Sequence, residues 1–257
     1  MRTALFLILF SLASLVRADT NSLQYMHDAS TRANLVITSA MVSFNPDDRF
    51  PDPRSLNAYF DGLYVISTKI TQLGQPEELM VPYKGMETVF KSLDETARKD
   101  AAVYPEKIKE LLVLNKQFQE ALLASFKTEL EATPSKVLPL YEQSQAISRL
   151  LYDYQLRRYP LEDKTGLILE QAEIEALDAE ILKRFETLGK SYPTHEEYIE
   201  KVRKNYKFVR SQLLQAKGRP TGGAEFYMTR SVIDLNDFAF EIALSEGDCP
   251  ADNPQCM

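Results

Sequence analysis

His27 and His195 are the only imidazoles among the 257 residues, so any chemistry carried by histidine starts from one of them. His195-Glu196-Glu197 has the opening of a zinc-binding helix, in which two histidines four residues apart share one face. Ile199 stands where the second histidine would be. Thr194 with Glu197 reads instead as a capping box, the hydroxyl accepting from a free backbone N–H and the carboxylate reaching back. His27 has only Asp28 beside it and reads as a solvent-facing helix residue.

Carboxylates offer a second route to chemistry. Glu170, Glu173, Glu175, Asp178 and Glu180 include two i, i+3 pairs, but no Glu-x-x-His accompanies them, as a di-iron bundle would require. They read as a solvated face offsetting Lys183 and Arg184. There is no G-x-S-x-G nucleophile turn. Members of a Ser-His-Asp triad need only meet in space, yet both histidines fall on expected helices. Gly218-Arg219-Pro220-Thr221-Gly222-Gly223 precedes a helix and so could face an anion with free N–H groups, but it lacks the Gly-Lys-Ser/Thr ending of a phosphate loop and reads as a turn. No catalytic residue, metal ligand or cofactor is assigned.

Binding has one candidate, the cluster Tyr152, Tyr154, Arg157, Arg158, Tyr159. Tyrosine and arginine are the types enriched at interface hot spots, so Tyr154, Arg157 and Arg158 are the expected binding residues. The competing reading is a helix end whose cations offset the C-terminal dipole.

The compartment follows from the N-terminus. Arg2 precedes an apolar run from Ala4 to Val16, and Val16-Arg17-Ala18 supplies small side chains at −3 and −1. That is the order of a cleaved secretory signal, and the run is shorter than the roughly 20 residues of a spanning helix. Cleavage after Ala18 would start the mature chain at Asp19, in a periplasm or outside the cell. Export makes Cys249 and Cys256 an expected disulfide in the C-terminal tail. The net charge of −7 becomes more negative once Arg2 and Arg17 leave, which argues against nucleic acid, whose binding relies on clustered Lys and Arg.

These residues need a scaffold, and the composition points to helices. Glycine numbers only nine and tryptophan is absent, against the turn-rich profile of a β-sandwich. Apolar residues recur at helical spacing and predict helices over 22–44, 54–73, 105–132, 134–159, 166–188, 194–217 and 224–244. Pro82 and Gly85 interrupt the pattern and leave a shorter helix over 86–99. Gly74 and Gly189 are expected terminators. Residues 105–159 and 166–217 read as two helical hairpins.

The expected fold is all-α: an elongated up-and-down bundle of about six to eight helices over residues 19–244, with a tail over 245–257. No later segment of the mature chain reaches spanning length without charges. The function this supports is a secreted or periplasmic, non-enzymatic module, an inhibitor, immunity, adaptor or sensor protein, binding another protein or else a small ligand. The alternative is an extracytoplasmic enzyme or metal-binding bundle using carboxylates.

Overall fold

A computed structural model of the chain describes residues 2–47, 53–132, 135–215 and 222–245, with side chains from Ser22 onward except at 53, 54, 132, 222 and 245. Among the described residues there are eight α-helices and no strand. They are α1 (Arg2–Ser43), α2 (Pro53–Gln72), α3 (Glu77–Glu95), α4 (Tyr104–Ala132), α5 (Leu138–Arg158), α6 (Gln171–Ser191), α7 (Glu196–Leu214) and α8 (Gly222–Ser245). Short 3-10 turns at Arg98–Val103 and Pro193–His195 lead into α4 and α7. The all-α bundle is therefore the fold. Among the described residues no helix is long and apolar enough to cross a membrane. The cleavage site and the pair Cys249 and Cys256 lie outside the described side chains.

Local chemistry accounts for most boundaries. Gly74 (φ 82°) ends α2 with its N–H on the Thr71 carbonyl at 3.0 Å, and the next N–H, of Gln75, bonds Ile70 O at 2.9 Å. That is the paired closure a left-handed residue permits. Pro139 falls in the first turn of α5, where a missing N–H costs no intrahelical bond.

Several expectations are corrected. α3 begins at Glu77, before Pro82 and Gly85. Glu77 and Glu78 favour the positive end of its dipole, and the Pro82 ring is buried. Gly85 is where α4 comes close, since a Cβ there would lie 2.8 Å from Leu114 Cδ2. Gly189 lies inside α6 rather than ending it. α6 starts at Gln171, not 166, because Gly166 (φ 70°) turns the chain and Asp153 Oδ1 accepts from Leu169 N at 2.7 Å. Thr194 does not cap α7: it sits in the 3-10 turn, 3.0 Å from His195 Nδ1. Glu173 makes the corresponding contact on α6, accepting from Glu170 N at 2.9 Å. Asp178 leaves the solvated face, being 4% exposed.

Two apolar cores flank a central pair of helices. One gathers α1 to α4 with Leu156 of α5 and Tyr159 just beyond it; the other gathers α5 to α8 with Leu23 and Leu35 of α1. α1 packs on α2, α4, α5 and α8. Between the cores α1 presents a polar stripe, Gln24, His27, Thr31, Asn34 and Thr38, all buried and spaced alternately three and four apart as on one helix face. His27 is thus buried at 4% exposure, not solvent-facing. Neighbouring helices pack in sequence with one exception. α4 and α5 do not pack along their lengths, so 105–159 is not a closed hairpin, and a gap opens between them with α1 as its floor.

Candidate functional site

The gap between α4 and α5 is a cavity of about 450 Å³. Each wall is one helical stripe. α4 contributes Leu112, Asn115, Lys116, Gln119, Leu122, Leu123 and Phe126, and α5 contributes Leu138, Tyr141, Glu142, Gln145, Arg149, Tyr152 and Asp153. Along α4 the order is apolar, polar, apolar. Leu122, Leu123 and Phe126 meet Leu138 at one end, while Leu112 meets Leu167 and Leu169 of the α5–α6 loop at the other.

The floor between is built of hydroxyls and amides. Ser30 Oγ lies 2.5 Å from Gln119 Oε1 and 3.2 Å from Gln145 Oε1. Gln119 Nε2 donates to Ser30 O at 2.9 Å and to Asn34 Oδ1 at 3.1 Å. Asn34 Nδ2 in turn donates to Ser148 Oγ at 3.3 Å. These groups carry no formal charge, so burial costs them little once they are hydrogen-bonded.

His27 closes one side, stacked on Tyr141 with ring centroids 4.4 Å apart. Burial pushes its pKa down to about 4 against a hydrogen bond to Asn236, so the ring is neutral near pH 7. Its Nε2 lies 2.7 Å from Ser144 Oγ and 3.0 Å from Asn236 Oδ1. The tautomer follows from the neighbours. Thr31 Oγ1 donates to His27 O at 3.1 Å and accepts from Asn236 Nδ2 at 2.8 Å, which turns Asn236 Oδ1 toward the imidazole. With the Asn236 amide turned this way Nε2 carries the proton and shares it between Asn236 Oδ1 and Ser144 Oγ, whose own hydroxyl donates to Tyr141 O at 3.2 Å. A nucleophilic serine needs a histidine nitrogen free to take its proton. This Ser–His contact runs the other way and is a structural link between α1, α5 and α8.

The charges on the walls divide unequally. Asp153 is paired with Arg157 at 2.6 Å and holds Leu169 N. Burial nevertheless raises its pKa, outweighing these favourable partners. Glu142 pairs with Arg184 at 3.4 Å, outside the cavity. Lys116 and Arg149 form no ion pair among the described residues. Burial raises the Tyr152 hydroxyl to about 12, a hydrogen bond from Asn115 opposing it, so that group stays protonated.

The residues chosen from the sequence are brought together elsewhere. Tyr154 is fully buried, with the Arg158 guanidinium 4.2 Å from its ring centroid. Arg157 donates to Leu213 O at 2.6 Å and Gln215 O at 2.9 Å, and Arg158 reaches Gln212 O at 3.5 Å. Two cations thus close the C-terminus of α7, where exposed carbonyls favour positive charge. None of the three lines the cavity. Asp178, from the acidic stretch, locks α6 to α7 by accepting from Tyr206 at 2.7 Å and from Arg210 through two nitrogens. Among the described residues no three of His, Cys, Asp and Glu gather around a possible metal position.

The sequence does carry a signal for the cleft. Polar residues at 24, 27, 31, 34 and 38 share one buried face of α1. A search for apolar periodicity passes over them. Comparison with protein-family models, curated proteins and solved structures finds no match, so the chemistry of the cleft has to be read from its own side chains.

Proposed function

We propose that this chain is an exported, non-enzymatic helical binding protein that holds a small ligand in the cleft between α4 and α5. The observation that carries this is the cavity itself. Its volume of about 450 Å³ is that of a ligand pocket, and apolar walls around a few converging polar groups are the usual make-up of one. Helices joined in sequence normally close on each other, and here hydrogen-bonded amides and hydroxyls hold the middle of the gap between apolar ends.

The test is organic extraction of protein purified from its native compartment, followed by mass spectrometry. A stoichiometric small molecule is expected with the wild type and not with Ser30→Phe, which fills the cleft. Equal recovery from both would refute the reading.

A protein partner is the second reading. Phe208 and Phe226 are 66% and 55% exposed, and both rings pack edge-on against Tyr227, an aromatic grouping of the kind favoured at interfaces. Docking through Arg157 and Arg158 would have to compete with the α7 carbonyls they already hold.

A further inference from the structure

We infer that the ligand of this cleft is an organic anion, a single acidic group on an apolar body; the inference rests on the cleft being a binding site. Three contacts across the cleft set the register of its walls. Phe126 meets Tyr141 with ring centroids 6.4 Å apart, Gln119 and Gln145 both reach Ser30, and Asn115 and Tyr152 line the cleft from opposite walls. In that antiparallel register Lys116 stands opposite Arg149, between the Gln119–Gln145 level and the Asn115–Tyr152 level.

Among the described residues, Lys116 and Arg149 are the lining cations within 4 Å of no carboxylate. Lys116 and Arg149 only donate. The two wall carboxylates have arginine partners of their own, Asp153 in Arg157 and Glu142 in Arg184, the latter shared with Glu180. A mouth of net positive charge on a chain of net charge −7 is the reverse of what composition favours. The apolar ends at Leu122, Phe126 and Leu112 then take a body of low polarity, and an acid group shared by two cations forms the strong, charge-assisted kind of hydrogen bond.

Two fluorescent probes of similar shape test this: anilinonaphthalene sulfonate, which is anionic, and N-phenylnaphthylamine, which is uncharged. The sulfonate is expected to bind the wild type more tightly. Lys116→Gln with Arg149→Gln should weaken it about tenfold or more, by loss of charge-assisted bonds, and leave the amine within about twofold. Decanoate or decyl phosphate should displace the sulfonate, the two separating carboxylate from phosphoryl preference, while decanol should not. Equal binding of both probes that the charge substitutions do not change, or displacement by decanol equal to that by the acids, overturns the anion inference alone. Ser30→Phe and Leu123→Trp, checked for helical content, should each block both probes. Failure of both to block either probe overturns the cleft reading and the inference with it.

Discussion

Gly62 offers a measurement of how closely the helices of this bundle are set. It lies within α2, and a Cβ built on it would stand 2.3 Å from Val36 Cγ2 of α1. Val36 is 2% exposed and, being β-branched on a helix, is held to one preferred rotamer. It cannot swing aside as a long side chain would. In an open helix position Gly→Ala favours folding by about 0.8–1.0 kcal/mol. Forcing a methyl into a filled contact opposes folding by about 1–3 kcal/mol, and a 2.3 Å approach belongs to the upper half of that range. Gly62→Ala is therefore expected to destabilise by about 1–2 kcal/mol net, or a few degrees in Tm for a chain of this size. Gly189 is the control: it sits within α6 with nothing inside 4 Å of its Cβ position, so Gly189→Ala should stabilise by about 0.5–1 kcal/mol. Urea unfolding followed by far-UV circular dichroism reads both, since the chain has no tryptophan. Adding Val36→Ala to Gly62→Ala should recover about 1 kcal/mol of coupling. A Gly62→Ala midpoint at or above the wild type, or absent coupling to Val36, would refute the close approach of α1 and α2.

Acid titration should expose His27. The folded ring is neutral with its pKa lowered to about 4, whereas the unfolded chain takes up a proton near 6.5. Stability is thus full above pH 6.5 and falls toward pH 4, by at most about 3 kcal/mol, and His27→Gln should flatten that slope. Asp178 acts lower down. Burial raises its pKa, but the bonds from Arg210 and Tyr206 outweigh this and hold it below the ordinary carboxylate range. Its contribution is present at neutral pH and lost as pH falls through that depressed value, and Asp178→Ala should cost about 2 kcal/mol at pH 7. Arg157→Ala leaves Asp153 buried and unpaired and should cost about 3–5 kcal/mol, against under about 0.5 kcal/mol for an ordinary surface change; a loss of the smaller size in urea unfolding would refute the buried pairing. N-terminal sequencing of the exported protein should begin at Asp19, and thiol titration without reductant should find Cys249 and Cys256 unreactive.

The sequence alone carried the helices of this protein because their signals are local. Apolar residues at helical spacing marked α2, α4 and α8 to within two residues at each end, and the glycine after α2 ends it as such a residue must. Two kinds of property lay beyond local pattern. Whether Gly85 breaks a helix or admits a neighbour depends on where Leu114 lies, and Gly62 bears the same relation to Val36. Whether His27 and Asp178 meet water or the interior depends on which faces other helices cover, and the partners that decide it, Asn236 and Arg210, are distant in the chain. The cleft is the extreme case. α4 and α5 follow each other, and the sequence pairs them as a hairpin. Only the tertiary structure shows them held apart over Ser30, Asn34, Gln119 and Gln145, because amides and hydroxyls that bond one another across the gap fix the spacing of the walls between its apolar ends.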